Sequence, residues 1–333
     1  MRPTVSFTRQ AVNVFFHILT RCNLACSHCY INPEQHGKKS LSLSTIQRWL
    51  SAFIRGDRQP DLIFLGGEPT LHPALSAAVK SARQMGFGSI TVDTNGYLFH
   101  GILDKVTPEE VDFFSFSLDG ASKAANDRIR GKGSFDACVA GIGKAVSKGF
   151  ATSLIYTVSR ETIDDLENMV PLVSRLGVRR FFIQVIGRRG RMAAGGKKDI
   201  QVGRDQWVSR IPAVAEKIAR AGISVSYPRV YLDPDETFEC AGRVAENYFI
   251  FPNGRVCRCP LCEDYPWHSM AFVDDRLVRV KIINETDLFQ LDIPEGCVMN
   301  KIIQPGNLAY NKDGAPAYKI ACCLLKEEIR MTV

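Results

Sequence analysis

The segment VNVFFHILTRCNLACSHC, residues 12–29, joins an apolar run to three closely spaced cysteines. Residues 12–19 are rich in Val, Ile and Phe, which is typical of a strand buried on both faces. Cys22, Cys26 and Cys29 follow this strand directly. They therefore lie in a β–α loop at the carboxyl end of a strand, where barrel enzymes build their active sites.

The same three cysteines indicate a metal centre with an open position. Iron–sulfur clusters are held by cysteine thiolates, and a structural zinc or an electron-transfer cluster normally has four ligands. No fourth cysteine lies near residues 22–29. Three thiolates suit three corners of a [4Fe–4S] cube, which leaves one iron free to bind another molecule. A zinc site or buried free thiols are the alternatives.

Downstream, strand-like runs alternate with helical patterns. Further runs rich in Val, Ile and Phe occupy residues 61–65, 89–94, 113–118, 152–158 and 180–185. Amphipathic stretches predict helices at residues 44–55, 73–85, 134–148 and 162–176. Repeated β–α units imply parallel strands joined by right-handed crossovers. We predict an α/β fold, a six-stranded partial version of the (β/α)8 barrel, with a flat doubly wound sheet as the alternative.

The pattern changes after about residue 222. Residues 247–251 and 255–259 read as the two strands of a β-hairpin, and Gly254 between them can take a positive φ. Later segments show no β–α rhythm. We therefore predict a barrel domain over residues 1–222 and a small, hairpin-containing second domain over residues 223–333.

Composition and charge limit the classes of function. The chain has 333 residues, of which 45% are hydrophobic and 23% charged. It has 42 Lys and Arg residues and 35 Asp and Glu residues, which gives a net charge of +7. No apolar run reaches the ~20 residues that span a bilayer, and no signal-peptide cleavage pattern follows the first run. The basic stretches at 188–191 and 196–198 form either a solvated loop or a site for an anionic substrate. We expect a cytoplasmic protein without a membrane or nucleic-acid partner.

Eleven cysteines point to metal binding in a reducing compartment, because a secreted disulfide scaffold would be short and cysteine-dense throughout. Beyond the first three, Cys138 lies mid-helix and is predicted to be a core residue. The others fall in the last third of the chain: Cys240, Cys257, Cys259, Cys262, Cys297, Cys322 and Cys323.

The Cx3Cx2C spacing of Cys22, Cys26 and Cys29 resembles the signature of the radical S-adenosylmethionine (SAM) superfamily. His28 stands where that family usually has an aromatic residue, and the resemblance places it over the cluster. Gly66-Gly67-Glu68-Pro69 is similar to the family's GGE motif, whose backbone contacts the methionine amino group of SAM. The likeness covers about residues 12–220 in order.

Further motifs at strand ends are similar to those of the family: Thr94-Asn95-Gly96, Ser117-Leu118-Asp119-Gly120, Arg128-Ile-Arg130-Gly131 and Ile186-Gly187-Arg188. Ser117 is either a SAM contact or a hydrogen-bonded strand-end serine, and Arg188 has either a surface or a substrate role. The resemblance implies that the cofactor-binding residues are His28, Gly66, Gly67, Glu68, Asn95, Ser117, Arg128 and Val185.

The resemblance also implies the chemistry. SAM would chelate the open iron, and one electron from the reduced cluster would cleave it to methionine and a 5′-deoxyadenosyl radical, which abstracts hydrogen from a C–H bond. Cys22, Cys26 and Cys29 would then be the catalytic residues. An electron donor such as flavodoxin or ferredoxin is the implied partner.

The later cysteines resemble the opening of the SPASM and twitch domains, which add auxiliary iron–sulfur clusters to radical SAM barrels. Thirteen residues separate Cys240 from Gly254, and four more precede Cys259. We expect one auxiliary [4Fe–4S] cluster, with Cys240 and Cys259 as ligands. Cys297 and either Cys322 or Cys323 would complete it, and Cys262 competes for a place. A zinc site on the Cys259-Pro-Leu-Cys262 pair is the alternative, and a spare thiol could donate a hydrogen atom.

Three functions remain open. The first is a peptide modifier that crosslinks, epimerises or oxidises residues; the second is a dehydrogenase or epimerase of a small metabolite, sugar-like or an antibiotic precursor. About eleven residues precede the first strand, so we expect no fused N-terminal peptide-recognition domain, which weakens the first function without excluding it. A non-catalytic iron–sulfur electron carrier is the third, and it has no need of the SAM-pocket motifs.

Overall fold

The structure is a computed structural model and describes residues 11–194 and 200–330. The basic stretch predicted at 196–198 lies outside the described residues. The strands are β1 (Val12–His17), β2 (Asp61–Leu65), β3 (Ser89–Thr94), β4 (Phe113–Ser117), β5 (Thr152–Val158), β6 (Arg180–Val185), β7 (Ser224–Pro228), β8 (Tyr231–Leu232), β9 (Glu246–Ile250), β10 (Arg255–Cys257), β11 (Met270–Val273), β12 (Arg276–Arg279), β13 (Lys319–Ile320) and β14 (Lys326–Ile329).

The helices are short except for α3, α6 and α9, and most of them connect successive strands of the first two thirds of the chain. They are α1 (Pro33–His36), α2 (Leu43–Ser51), α3 (Leu75–Met85), α4 (Ile102–Lys105), α5 (Lys123–Arg130), α6 (Ser134–Ser147), α7 (Met169–Leu176), α8 (Arg191–Ala194), α9 (Arg204–Arg220), α10 (Ala241–Val244), α11 (Glu285–Leu288) and α12 (Val298–Ile303).

One large sheet organises the chain, in the order β12-β11-β10-β9-β1-β2-β3-β4-β5-β6-β7-β14. Strands β1 to β7 pair in parallel in chain order. The six predicted strands are β1 to β6, so the predicted α/β class is confirmed. Two further parallel strands extend the set, because β7 pairs with β6 and β9 pairs with β1.

The two faces of the sheet differ, and this difference favours a partial barrel over a flat doubly wound sheet. Val92 and Phe114 belong to the apolar core beneath the helices. Their neighbours Thr91 and Ser115, which point the opposite way along each strand, are buried but polar. A doubly wound sheet would carry a second apolar helix layer on that face. A polar interior suits a barrel that holds its site inside.

The predicted hairpin of the second half is confirmed. Strand β10 pairs antiparallel with β9, and Gly254 in the turn has a φ of +90°. A Cβ at Gly254 would also lie 2.9 Å from the Phe272 carbonyl oxygen, so a larger residue is excluded there. The predicted boundary at residue 222 falls between α9 and β7, and both β7 and β9 extend the barrel sheet.

Helix burial explains why these segments fold onto the sheet. Helix α2 buries Ile46, Trp49 and Leu50, which recur at helical spacing on one face. Removing a side chain such as Leu50 from water stabilises the fold by about 1.5–3 kcal/mol. Within residues 11–194 and 200–330, no helix is long and apolar enough to cross a membrane.

Candidate active site

The cysteine loop, residues 20–32, follows β1 and is held on two sides by backbone hydrogen bonds. The Ser27 N–H donates to the Ile129 carbonyl at 2.9 Å, at the end of α5. The Arg191 N–H donates to the Cys29 carbonyl at 3.0 Å, from the segment after β6. The loop therefore lies across the carboxyl ends of the parallel strands and leaves three thiols half-buried: Cys22, Cys26 and Cys29.

These thiols are close enough to influence one another. Burial is the main reason that the pKa of Cys22 is raised to about 11, and Cys26 and Cys29 contribute to the rise. Burial likewise raises the pKa of Cys26. Three thiolates in one loop repel one another, so they ionise together only when a cation is bound among them. This donor set suits iron.

Gly66 and Gly67 allow the cysteine loop to contact the end of β2. The Gly67 N–H donates to the Leu19 carbonyl at 3.0 Å. A Cβ at Gly67 would lie 2.3 Å from the Arg21 carbonyl oxygen, and one at Gly66 would lie 2.7 Å from the Leu19 carbonyl oxygen. Both distances are far inside van der Waals contact, so only glycine permits this approach.

Glu68 is a buried support of the site. Its Oε1 atom accepts hydrogen bonds from the Thr70 N–H at 3.1 Å and from the hydroxyls of Thr70 and Thr94 at 2.6 and 2.9 Å. Its Oε2 atom accepts from the Asn95 N–H at 2.7 Å. Burial raises the pKa of Glu68, and these hydrogen bonds oppose the rise. The carboxyl group therefore links the ends of β2 and β3.

Asn95 faces the cysteine loop. Its Nδ2 atom donates to Asn23 Oδ1 at 2.8 Å and lies 3.8 Å from the Cys22 sulfur. Gly96 follows with a φ of +95°, and its added Cβ would lie 2.4 Å from the Cα of Cys138. Cys138 is buried, as predicted for a core residue, and its burial raises its pKa to about 12.

His28 lies in an ion-pair cluster that sequence reasoning missed. Its Nε2 atom is 2.9 Å from Asp119 Oδ2, and Arg130 Nε is 2.6 Å from the same oxygen. Burial alone would raise the pKa of Asp119, but the charges of Arg130 and His28 outweigh burial and hold that pKa well below its usual range. Asp119 lies two residues after the predicted Ser117, and Arg130 lies two residues after the predicted Arg128.

The other predicted cofactor residues are more dispersed. Ser117 ends β4, and its carbonyl accepts a weak hydrogen bond from the Cys138 thiol at 3.6 Å. Arg128 is exposed and donates to the Glu161 carbonyl at 2.9 Å. Val185 ends β6 and lines a cleft between the barrel and the C-terminal segments. The structure therefore places Asn95 beside the cysteine loop, whereas Arg128 points to the surface.

A buried polar chain connects the cysteine loop to the C-terminal segments. His17 Nε2 is 2.8 Å from the Tyr30 hydroxyl, and the Arg189 guanidinium lies 5.0 Å from the centre of the Tyr30 ring. Arg189 Nη1 donates to Glu263 Oε2 at 2.7 Å. Tyr30 follows Cys29 and Glu263 follows Cys262, so this chain joins the neighbours of two candidate ligands.

Six C-terminal cysteines gather in one region. The thiols of Cys240 and Cys322 are hydrogen-bonded, which raises the pKa of Cys240. A second hydrogen bond joins Cys259 and Cys262 and raises the pKa of Cys259. The two pairs are close to each other, because Cys322 also raises the pKa of Cys259. Cys322 and Cys259 both raise the pKa of Cys297.

The remaining two C-terminal cysteines differ from each other. Cys323 is the sixth member of the group. Burial is the main reason that its pKa is raised, and Cys322 and Cys259 raise it further. It lines the same cleft as Val185. Cys257 is fully buried, and burial followed by the charge of Glu285 raises its pKa. Cys257 therefore belongs to the apolar core of the hairpin.

The barrel interior holds a carboxyl group and an amine that the sequence analysis did not select. Asp93 lies on β3 and hydrogen-bonds Ser115; its burial raises its pKa to about 7. Lys326 lies on β14 with its Nζ 5.3 Å from the centre of the Phe182 ring, and its burial lowers its pKa to about 8. Each acts electrostatically on the other. Asp93 could have been found as a lone charge in an apolar strand.

The residues present fit an iron–sulfur cube better than a single ion. Among the described residues, no group of three His, Cys, Asp or Glu side chains is arranged to hold a metal ion. In a cube, each cysteine binds a separate iron, so its ligands do not converge on one point. The cysteine loop supplies three thiols, and Gly66 and Gly67 allow its backbone to pack closely against the end of β2.

The chain contains a radical SAM domain. Residues 16–173 match the family described as the radical SAM superfamily, and the enzymes of this family bind a [4Fe–4S] cluster and SAM. The predicted family and its two cofactors are therefore confirmed. The matched residues include the cysteine loop and the ends of β2, β3 and β4.

Two curated relatives illustrate the range of the family. The chain is 29% identical to the PqqA peptide cyclase of Ruegeria pomeroyi over 267 residues, which cover 78% of this chain and 70% of that protein. It is 30% identical to the Fe-coproporphyrin III synthase of Methanosarcina barkeri over 182 residues, 53% of this chain. That second match covers only 45% of the synthase.

A solved structure shares the fold. SuiB of Streptococcus suis superposes with a TM-score of 0.63 and 12% sequence identity, over 90% of this chain and 67% of that one. SuiB has also been solved bound to S-adenosylmethionine and bound to its precursor peptide SuiA. The likeness extends through the C-terminal segments as well as the barrel.

Proposed function

We propose that this radical SAM enzyme abstracts hydrogen from a C–H bond of a peptide substrate and crosslinks, epimerises or oxidises the peptide with the help of an auxiliary iron–sulfur cluster. The observation that carries the proposal is the placement of two cysteine groups around one polar barrel interior. The cysteine loop covers the strand ends, and the C-terminal cysteines reach the cleft beside β6.

In this proposal Cys22, Cys26 and Cys29 hold the first cluster. With SAM bound, that cluster would supply the electron that cleaves SAM to methionine and a 5′-deoxyadenosyl radical. Gly66 and Gly67 let the cysteine loop pack against the end of β2, and Asn95 offers an amide at the edge of the loop. The protein positions the substrate C–H bond and excludes competing reactions. His28, through Asp119, fixes the loop in place.

The auxiliary cluster would be held by Cys240, Cys259, Cys297 and Cys322. Cys322 and Cys259 act electrostatically on both Cys240 and Cys297, which supports placing the four thiols in one group. Cys262 and Cys323 are the alternates. The chain from Tyr30 through Arg189 to Glu263 lies between the two cysteine groups. An electron donor such as flavodoxin or ferredoxin would reduce the first cluster, in the cytoplasm.

Two relatives support a peptide substrate, one by its sequence and the other by its fold. The PqqA peptide cyclase matches 78% of this chain in sequence, and SuiB, which binds the precursor peptide SuiA, shares the fold over most of it. The buried Asp93 and Lys326 give the barrel interior both signs of charge, which suits a substrate with polar backbone and side chains.

A small metabolite is the second candidate substrate, and one observation favours it. The Fe-coproporphyrin III synthase is 30% identical to this chain, and the peptide cyclase is 29% identical. Its match is confined to about half of this chain, whereas the cyclase match extends further. A peptide therefore remains the first candidate substrate.

The first test is anaerobic incubation of the reconstituted protein with dithionite and SAM. We expect 5′-deoxyadenosine to form, and Cys22→Ala to abolish it. Cys138→Ala is the matched control, since Cys138 is buried in the barrel core and its thiol donates to the Ser117 carbonyl. An intact cluster without any 5′-deoxyadenosine would instead support a non-catalytic electron carrier. Iron and zinc analysis of the same sample distinguishes an auxiliary cluster from a zinc site.

The second test identifies the substrate class. Candidate peptides and candidate sugar-like metabolites, each labelled with deuterium at carbon, are added to the same reaction. Transfer of deuterium into 5′-deoxyadenosine from a peptide supports the proposal. Transfer from a small metabolite alone would replace it with the second candidate.

A further inference from the structure

The large sheet ends at strand β12, far from the cysteine loop. In the part of the chain that the structure describes, β12 pairs only with β11 and is the first strand of the sheet order. Such an edge strand has unpaired backbone N–H and C=O groups, which can pair with a further strand.

Hydrogen-bond register shows which residues face outward. Val273 pairs with Arg276 across a two-residue turn, Asp274-Asp275, whose φ angles are +47° and +58°. Beyond the strand, the Val280 N–H donates to the Ser269 carbonyl at 2.9 Å. Because bonded and non-bonded pairs alternate in an antiparallel ladder, residues 276, 278 and 280 bond to β11. The peptide groups of 277 and 279 therefore point to the open edge.

The hairpin and the segment after it also expose four apolar side chains. Val273 and Val278 are 53% and 38% exposed and lie on the face opposite the buried Phe272. Ile282 and Ile283 follow β12 and are 54% and 78% exposed. Exposed apolar side chains clustered beside an open edge are typical of an interaction surface.

The same segment is basic. Arg276, Arg279 and Lys281 are exposed, and none of them forms an ion pair with a described carboxylate. The nearest acid of the turn, Asp275, is already bound by Arg48 at 2.6 Å and by the Trp49 indole N–H at 2.8 Å. Asp274 is the other acid of the turn. Three exposed cations beside the edge, unpaired within residues 11–194 and 200–330, favour an acidic partner.

We propose that β12 binds an extended peptide segment rich in acidic and β-branched side chains, which adds to the sheet as a further strand. The outward peptide groups of Leu277 and Arg279 would pair with its backbone, and the cations would pair with its carboxylates. Only the choice of a peptide rests on the proposed function. Binding at β12 is independent of SAM cleavage, so the two can fail separately.

Charges on an edge strand can instead serve to repel other strands. The two roles predict different results, since a repelling edge binds no peptide of either charge. The test therefore uses a fluorescein-labelled peptide of four Glu-Val repeats, with a Lys-Val peptide of equal length as control. Fluorescence anisotropy with the full reconstituted chain reports binding. We expect saturable binding of the Glu-Val peptide and at least tenfold weaker binding of the Lys-Val peptide.

The matched variants are Arg279→Pro and Arg279→Ala. Both remove the charge, but only proline also removes the outward N–H, and proline is tolerated on an edge strand. We expect Arg279→Pro to weaken binding about tenfold further than Arg279→Ala, as expected for a lost hydrogen bond worth about 1.4 kcal/mol. SAM cleavage should be unchanged in both. Equal binding by the two variants would overturn the proposal.

A charge reversal keeps the test decisive if Arg279→Pro fails to fold. The double variant Arg276→Glu with Arg279→Glu leaves the backbone ladder intact. It should bind the Lys-Val peptide in preference to the Glu-Val peptide. Absence of saturable binding to either peptide in the wild-type chain, or self-association in sedimentation through this edge, would overturn the proposal.

Discussion

The Nε2 atom of His28 lies 2.9 Å from the Oδ2 atom of Asp119, and this contact ties the cysteine loop to the end of β4. Arg130 approaches the same oxygen from α5 at 2.6 Å. The Asp119 carboxylate is fully buried, and its Oδ1 atom accepts a hydrogen bond from the Thr157 N–H at 2.7 Å. One carboxylate therefore holds a loop, a helix and two strands together.

Asp119→Asn should destabilise the protein by about 3–5 kcal/mol, because it leaves the Arg130 charge buried without its partner. Urea unfolding at pH 7 measures the effect. Asp136→Asn is the control, since Asp136 forms an exposed ion pair with Lys123 and its loss should have little effect. Equal stability of the two variants would show that the Asp119 pair is not structurally important.

The same residue predicts an acid dependence. The pKa of Asp119 is lower in the folded than in the unfolded state, so its stabilising contribution is complete above the unfolded pKa of about 4 and is lost as the pH falls below that value. The unfolding free energy of wild type should fall between about pH 4 and pH 2, and Asp119→Asn should show a shallower fall. Parallel pH profiles would contradict this.

Gly67→Ala should reduce the iron content of the reconstituted protein, because the new Cβ would lie 2.3 Å from the Arg21 carbonyl and displace the cysteine loop. Gly143→Ala is the matched control in α6, where an added Cβ meets nothing within 4 Å. That change should leave iron content unaltered and stabilise the helix by about 0.5–1 kcal/mol. Iron analysis and thermal unfolding distinguish the two.

Cys240→Ala and Cys259→Ala should lower iron content while some SAM cleavage remains, because the proposed ligands of the first cluster are Cys22, Cys26 and Cys29. Cys138→Ala should keep the full iron content, since its thiol is buried in the barrel core. Iron per chain and 5′-deoxyadenosine formation are measured together. Loss of all SAM cleavage in Cys240→Ala would mean that the two cysteine groups are not independent.

Lys326→Met should change the alkaline stability. Burial lowers the pKa of Lys326 to about 8, so the unfolded state binds more protons between about pH 8 and pH 10.4, and wild type gains stability over that range. Met has a similar shape and no proton, so the variant should lack this gain. Thermal midpoints at pH 7.5 and pH 9.5 measure it. The exposed Lys148→Met serves as control and should behave like wild type.

Local sequence patterns were sufficient to predict most strands of the barrel. The bounds of β2, β3, β5 and β6 agree with the predicted runs, because these runs are rich in the β-branched and aromatic residues that favour strands. The first strand ends at His17, two residues before the predicted end, because Leu19 pairs with Ser40 beyond the sheet. Helix 162–176 is divided, with α7 beginning at Met169 after a 3-10 turn.

The spacing of Cys22, Cys26 and Cys29 and the glycines after β2 were readable from the sequence because each motif lies within a few residues of one strand end. The pairing of β9 with β1, the buried Asp119 cluster and the gathering of Cys240 with Cys322 join residues that are far apart in the chain. Such contacts depend on how the elements pack, and no local periodicity encodes them. Sequence alone therefore determined the barrel and its cysteine loop, and the tertiary structure decided what holds that loop and where the second group of cysteines meets it.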